Sequence, residues 1–573
     1  MSEAAENKTV VGIDLGTTNS LIAVFEDDGP KLIPNSAGDY LTPSAVGYAE
    51  DGTLLIGQAA KDRLVTHPKL TTARFKRQMG TAQIIKLGKE TFRAEDLSAL
   101  ILKSLKEDAE VYLGRPVDEA VISVPAYFND VQRNATMAAA KIAGLKVNRL
   151  INEPTAASLA YGVQNRESES RFLVVDLGGG TFDVSILEMF SGVMEVRASA
   201  GDAFLGGEDF TDALAHDLAK QIGRDPADMK PDAKARLRRL ADEMKLQLTD
   251  SPELEKQFVD KDKAYPVTIS REKFDELNEP TLRRLRMPIQ RAISDAGLNA
   301  ADLDRIILVG GATRMPSVRA LITKLFKRFP EHDIDPDHVI ALGAAVQAGL
   351  AGRHAALEDM VMTDVAPFTL GYETTIELRK GQYENGHFSP LIERNTVVPV
   401  SRSHTVYPVH KGQTQILLPI YQGEAPFVRD NIKLGELTVD IPKNKDEHEA
   451  VEVRFTYDTS GVLEVLTKVV TTGKTRRLII EGNPGALSKT EIEERLKKLE
   501  RLKIHPRDKQ ENTAFTARLT LAYENALGDL RRYIGQLIAQ FEAALLTQDD
   551  REIAEARKEI ETYLKEIEGK DVF

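Results

Sequence analysis

The spacing of apolar positions changes character twice along the chain. From Thr9 to about Gly352, short apolar runs alternate with amphipathic stretches. Runs such as Ala120-Val121-Ile122-Ser123-Val124 and Arg305-Ile306-Ile307-Leu308-Val309 predict buried strands, while Ala94 to Leu113 and Asp209 to Ile222 predict helices. That alternation predicts α/β architecture. From about Val365 to Leu487 the helical period vanishes. Val451, Val453, Phe455 and Tyr457 alternate with Glu452, Arg454 and Thr456, a half-buried strand face. Asp458-Thr459-Ser460-Gly461 and Thr471-Thr472-Gly473-Lys474 predict hairpin turns, so this part reads as an antiparallel β-sandwich. From Ser488 the period is helical again. Ser488 with Glu491 has the capping-box spacing, and Leu527, Leu530, Ile534, Leu537, Ile538 and Phe541 share one helix face. Between the first two parts, Glu358 to Asp364 sets a short apolar run between acids and predicts a linker with an adhesive centre. The expected division is therefore 1–8 flexible, 9–353 α/β, 354–364 linker, 365–487 β and 488–573 helical.

At 573 residues the chain exceeds what one core can organise. No eighteen-residue window is continuously apolar and the first eight residues lack an apolar stretch, so neither a membrane span nor a secretory signal is expected. Zero cysteines exclude thiol catalysis and zinc–thiolate sites and fit a cytoplasmic setting. A net charge of −13 argues against nucleic acid as the main ligand.

The chemistry gathers on one stretch, Asp176-Leu177-Gly178-Gly179-Gly180-Thr181-Phe182-Asp183, placed between two apolar runs. Three glycines in a hairpin turn let backbone N–H groups approach phosphate oxygens, and flanking carboxylates suit hydrated Mg²⁺. The same order of strand, Asp-Leu-Gly, hydroxyl-rich turn and strand occurs from Val10 to Val24, around Asp14-Leu15-Gly16-Thr17-Thr18-Asn19. Two such hairpins predict two similar lobes closing on one phosphate chain. Leu205-Gly206-Gly207-Glu208 and Gly310-Gly311 repeat the glycine device before helices. No GxxxxGK[ST] string occurs, which excludes a P-loop.

The strings GIDLGTTNS, ISVPAYFND, LINEPTAASLAYG, DLGGGTFDVS, LGGEDF, VGGATRMP and GAAVQAG, spread over roughly residues 10–350, resemble the seventy-kilodalton heat-shock chaperones of the DnaK type, most nearly the short HscC branch. The resemblance implies an actin-like ATPase domain of two lobes with a duplicated ribonuclease-H-like core, then a β-sandwich peptide-binding domain and a helical lid. It implies that Thr17, Thr18 and Asn19 form the first phosphate loop and Gly178, Gly179, Gly180 and Thr181 the second, with Gly206 and Gly207 beside them. Asp14 and Asp176 match the acids that hold Mg²⁺ through waters. Lys76 matches the lysine that positions the attacking water, Glu153 the carboxylate near it, and Asp183 a further acid. Asp242, Lys245, Thr249, Gly310, Gly311, Arg314 and Asp337 match the adenosine side. There Asp242 replaces a glutamate and Leu246 stands where some members carry arginine, so the base and ribose are expected to be held less tightly.

Pro125, Arg133, Arg149, Asn152, Gln347 and Asp364 match positions that couple the lobes to the linker and to J-domain cochaperones. Thr363 in Met360-Val361-Met362-Thr363 makes this linker less apolar than the leucine-rich form, implying weaker docking. Ile416 matches the central peptide pocket, and Thr375 and Val409 its arch. Lys443 to Glu449 is a charged loop, and Arg379 to Phe388 looks like an insertion. The expected activity is ATP hydrolysis, with ATP/ADP and Mg²⁺, gating a lid over extended apolar segments of unfolded proteins during folding and stress response. The expected protein is a monomer, with dependence on an exchange factor left open because the segment after Thr249 looks short. The alternative is a metabolite kinase of the actin-like superfamily, for which residues after 365 would be surplus.

Overall fold

The computed structural model describes residues 9–164, 170–190, 193–260, 263–331, 334–352, 361–379, 382–458, 461–480, 507 and 509–568. They fall into two compact units. The first runs to Phe368 and includes Arg394–Val398; the second takes Thr369–Glu393 and the chain from Pro399 through the C-terminal helices.

Two six-stranded sheets build the first unit. One orders Lys146–Asn152, Glu119–Val124, Val10–Asp14, Asn19–Glu26 and Gly29–Ile33, with Thr42–Pro43 also pairing Asn19–Glu26. The other orders Arg305–Val309, Ser170–Leu177, Phe182–Phe190, Val193–Asp202, Val361–Val365 and Val397–Val398. Each contains an antiparallel hairpin with a parallel strand on its first arm: Val10 pairs Glu119, and Phe172 pairs Arg305. The internal repeat read from the two Asp-Leu-Gly hairpins is thus a repeat of topology.

The helix Val339–Ala351 is almost wholly apolar and small-sided, which lets backbones meet around it. A Cβ on Gly12 would lie 2.1 Å from the Ala345 nitrogen, and one on Gly343 would lie 1.6 Å from the Ala156 carbonyl oxygen. Only glycine fits either place. The helix Ala94–Leu113 matches its expected limits. Gly207–Gln221 starts two residues before the expected Asp209, because the Asp209 carboxylate accepts the Gly206 N–H at 2.8 Å and closes the first turn.

The expected linker is partly a strand. Val361–Val365 lies parallel to Val193–Asp202, with Val193 opposite Val361 and Glu195 opposite Thr363. An apolar run free of glycine and proline found an open strand edge, and backbone pairing outweighed the flanking charges. The Thr363 hydroxyl is buried there without a hydrogen-bond partner. Residues 394–398, expected in the β part, pack instead in the first unit. Arg394 donates to Asp295 at 2.9 and 3.0 Å, and Asn395 accepts from the Ser199 N–H at 3.0 Å.

The second unit holds two four-stranded antiparallel sheets. One orders Gln382–Ile392, Leu370–Arg379, Gln415–Gln422 and Ile432–Asp440; the other orders Val400–Val406, Val451–Tyr457, Leu463–Val469 and Thr475–Ile480. Strands of both contribute to a core of Val439, Ile441, Val451 and Val469, against which Val406, Ile416 and Leu437 pack. Three helices follow, Gln510–Asn525, Gly528–Thr547 and Asp550–Glu568, around Phe515, Leu519, Ile534, Leu537, Phe541, Ile560 and their neighbours. Of the predicted stripe, Ile534, Leu537 and Phe541 are buried, whereas Leu527 precedes the helix and is exposed. The predicted cap at Ser488 and Glu491 lies outside the described residues.

Candidate functional site

The two repeated hairpins meet turn to turn. A Cβ on Gly179 would stand 2.0 Å from the Thr18 hydroxyl, and one on Gly180 would stand 2.8 Å from the Thr17 hydroxyl. Glycine here is a condition of approach, and residues of both turns border the space between them. That space is a cleft of about 580 Å³. Asp14, Thr17, Thr18, Asn19, Lys76, Glu153, Asp176, Gly178, Gly179 and Thr181 line one part; Gly207, Asp242, Lys245, Thr249, Gly310, Gly311, Arg314 and Asp337 line the rest. Gly180, Asp183 and Gly206 sit behind the lining. Gly206 and its neighbours brace the second turn: the Gly207 and Glu208 N–H groups donate to the Gly178 and Gly179 carbonyls, each at 2.9 Å.

Lys76 projects from a short 3₁₀ turn, Phe75–Gln78, entered through Arg74 in the left-handed region at φ 63°. Its ammonium donates to Glu153 at 2.7 Å, and the two side chains are only 5% and 6% exposed. Burying such a pair costs desolvation energy, so its value lies in fixing the ammonium's position. Arg77, next in sequence, donates to the Gly180 carbonyl at 3.2 Å and to Asp209 at 2.6 Å, which ties the turn to the second loop. Nothing in the local pattern around Arg77 marks it as a contact of the second loop.

Three acids share this low-dielectric place. Burial first, then the nearby Glu153 charge, pushes the Asp14 carboxyl up to about 7, against the lowering pull of Lys76 and of the Ser123 hydroxyl at 2.8 Å. Burial and then Glu153 push Asp183 up to about 8, although its carboxylate accepts the Tyr127 N–H at 3.2 Å. Asp176 is raised well above its ordinary value, by burial and then by Glu153, Asp183 and Asp14. One Asp176 oxygen is buried with no hydrogen-bond partner. Crowded, desolvated carboxylates with an orphaned oxygen are what a cation would relieve. Among the described residues no three acidic or histidine side chains form a group that could chelate an ion directly.

On the other side, Lys245 donates to Asp242 and to the Thr211 hydroxyl, both at 2.8 Å. Burial raises the Asp242 carboxyl, but Lys245 and Thr211 together hold it below its usual range. Arg314 is anchored by Asp335 at 2.7 Å and Asp337 at 3.0 Å. Asp335, like the lining residues Met315 and Ile340, escaped the sequence reading. Apolar side chains that floor a pocket have the same pattern as those that fill a core.

A second constellation leaves the cleft along adjacent residues. Asn152, next to Glu153, donates to Asp364 at 3.2 Å and accepts from Arg133 at 2.6 Å. Arg133 also donates to the Phe128 and Ala126 carbonyls, holding the turn that begins at Pro125. Arg149 reaches Gln347 at 3.5 Å and Asp364 at 3.7 Å. The six predicted coupling positions therefore form one network. In the second unit Ile416 is half-buried on Gln415–Gln422, and Val409 lies in the loop before it. Thr375 turns its hydroxyl to Asn385, 2.8 Å away across its own hairpin.

The chain matches the Hsp70 protein family over residues 10–572. It is similar to the chaperone protein DnaK of Thermotoga neapolitana, 38% identical over 581 residues that cover 98% of this chain and 93% of that protein. The DnaK proteins of Thermotoga petrophila and Thermotoga maritima are 39% identical over 574 residues, covering 95% of this chain and 94% of each.

Proposed function

The chain belongs to the Hsp70 family of ATP-hydrolysing molecular chaperones, and from that premise we propose how its residues divide the work. A phosphotransferase reading is not favoured, since chaperones match the chain almost end to end. Residues 9–353, within the first unit, are the nucleotide-binding domain, of actin-like fold. Residues 354–364 are the interdomain linker, 365–487 the peptide-binding β-sandwich, and 488–573 the lid.

ATP lies between the two turns. Thr17, Thr18, Asn19 and the Gly178–Thr181 backbone hold its phosphates, while Asp242, Lys245, Thr249, Gly310, Gly311, Arg314 and Asp337 hold the adenosine end. Asp14 and Asp176 would hold Mg²⁺ through waters, and the ion when bound supplies charge neutralisation at the phosphates. Lys76, locked by Glu153, orients the attacking water. Phosphoryl transfer asks mainly for such positioning and charge stabilisation. Asp183 maintains the acidic field behind the turns. The Asn152–Asp364 contact carries the state of Glu153 to the linker strand, and Arg133, Arg149, Gln347 and Pro125 share that path. The working setting is a cytoplasmic monomer assisted by a J-domain protein, binding unfolded apolar segments at Ile416. No helix among the described residues is long and apolar enough to cross a membrane.

The observation that carries this reading is the turn-to-turn meeting of Gly179 and Thr18 beside the buried Lys76–Glu153 pair. Single-turnover ATP hydrolysis, with and without unstructured apolar peptides, tests it. Slow turnover accelerated by peptide, lost in Lys76→Ala and Thr181→Ala and uncoupled in Ile416→Asp, is the expected result. Turnover that requires a small-molecule acceptor would overturn it.

A further inference from the structure

Two buried hydroxyls close the turn around Gly16. Ser20 lies on Asn19–Glu26 and Ser44 follows the short strand Thr42–Pro43; they are 0% and 3% exposed. Their oxygens stand 2.9 Å apart. Ser20 accepts the Gly16 N–H at 3.2 Å, and Ser44 donates to the Gly16 carbonyl at 2.8 Å. A hydroxyl has one proton to give. With the Ser44 proton on the Gly16 carbonyl, the proton between the two hydroxyls comes from Ser20. The bonds therefore run in one ring, from the Gly16 N–H through Ser20 and Ser44 back to the Gly16 carbonyl. Each bond in such a chain polarises the next, and burial strengthens them all.

Ser44 holds a second point of the same turn, because its backbone N–H donates to the Thr18 carbonyl at 2.8 Å. Its own place is fixed from behind. Thr42 and Pro43 pair with Ser20 and Asn19, and the Asn35 amide donates to the Thr42 hydroxyl at 3.2 Å and the Leu41 carbonyl at 3.3 Å. Neither serine is among the residues that line the cleft.

The second turn follows the same plan with other donors. The Gly178, Gly179 and Gly180 carbonyls accept from the Gly207 N–H, the Glu208 N–H and Arg77, at 2.9, 2.9 and 3.2 Å. In both turns, carbonyl oxygens are held by donors from outside the turn. A carbonyl oxygen carries partial negative charge, and one swung toward a phosphate chain would repel it, at a cost that a low dielectric enlarges. The second turn spreads the restraint over three residues. In the first, Ser44 supplies both donors.

We propose that Ser44 is a positioning residue for phosphoryl transfer: with Ser20 it keeps the Gly16 and Thr18 carbonyls off the phosphate chain and sets the shape of the first turn. The inference rests on the reading of ATP between the two turns and deepens it. Ser44 acts through the turn, so its loss is felt at the outer phosphates and not at the adenosine end.

The test compares ATP with AMP, which keeps the adenosine and lacks the two outer phosphates. Both compete against fluorescent ATP on the full-length protein with Mg²⁺. Ser44→Ala should weaken ATP about three- to tenfold, the worth of one hydrogen bond, and leave AMP nearly unchanged. Single-turnover hydrolysis at saturating ATP should slow by about the same factor. Ser20→Ala breaks the ring but spares the bond from Ser44 to Gly16, so it should shift the ATP-to-AMP ratio the same way and by less. The double variant should fall short of the product of the two single effects, since both break one ring. Equal losses for ATP and AMP would make Ser44 a general support and overturn the proposal. So would an unchanged ratio and rate in a Ser44→Ala protein that melts cooperatively. Should Ser44→Ala fail to fold, Ser20→Ala decides, and an unchanged ratio there overturns the proposal. A parent protein that binds no ATP would remove the nucleotide reading itself.

Discussion

The proposed nucleotide cleft of the first unit and the β sheets of the second are built on opposite terms. In the first unit, backbone lies against backbone: Gly12, Gly206 and Gly343 each occupy places where a Cβ would come within 2.4 Å of another backbone atom, and one on Gly179 would stand 2.0 Å from the Thr18 hydroxyl. The ionisable side chains proposed for the site, Lys76, Glu153, Asp14, Asp176 and Asp183, are buried. In the second unit the strands Leu370–Arg379 and Gln415–Gln422 pair only from Leu370 to Tyr372, and in its other sheet the glycine at the Gly473 turn meets nothing within 4 Å. A site that must position a phosphate to a fraction of an ångström leaves its sequence little freedom. A site that must admit many chains can vary its residues. That is why the motifs gather in the first unit.

The largest expected break in this contrast comes from one methyl group. Gly343→Ala would press a Cβ into the Ala156 carbonyl, and we expect no folded first unit, seen as loss of cooperative melting and of soluble yield. By comparison, Gly473→Ala meets open space and pays only for a left-handed φ of 69°, a loss of about 1–2 kcal/mol by chemical denaturation. Equal losses at the two positions would remove the contrast.

Next in size is Lys76→Ala. It leaves Glu153 as an uncompensated buried acid and should cut single-turnover hydrolysis by about 10²-fold or more, on the scale of losing one preorganised electrostatic group. Nucleotide should still bind, as read by fluorescent-ATP titration.

The buried acids predict a pH effect of definite sign. Asp14 and Asp183 move from 3.8 to about 7 and about 8 on folding, so the folded state holds protons that the unfolded chain has released. Stability of the nucleotide-free protein should therefore fall as pH rises from the ordinary carboxylate range through about 8. Melting followed by circular dichroism between pH 5.5 and 8.5 checks this, and a rise in melting temperature would contradict it. Mg²⁺ with nucleotide should flatten the slope.

The smallest effect is at the strand Val361–Val365. Thr363→Val removes a buried, unpartnered hydroxyl and should stabilise the docked strand by about 1 kcal/mol. Slower hydrogen exchange at Val361–Val365 is the readout. It would also restore the apolar content that the sequence reading found wanting.

Much of this was legible beforehand. Strand and helix limits in the first unit follow from periodicity, and the two hairpins were legible because glycine and aspartate at fixed offsets have few other uses. The residues that the resemblance matched to a coupling role are brought together around Asn152 and Asp364. Other features were not legible. The run 361–363 has the same composition whether it dangles as a linker or pairs as a strand; the open edge of Val193–Asp202, remote in sequence, decides. Arg394 and Asn395 look like loop residues of the β part until Asp295 and Ser199 are brought to them.

By itself, then, the sequence determined what depends on local geometry: helical and strand periods and the two glycine-rich Asp-Leu-Gly turns. Tertiary structure alone decided which distant groups meet. It set the upward shifts of Asp14 and Asp183, which arise from burial and from neighbours far along the chain. It set the docking of Val361–Val365, and the meeting of Ser44 with Gly16. Periodicity records the torsions and faces of one segment, whereas desolvation, charge coupling and long-range hydrogen bonds depend on distances that only the folded chain defines.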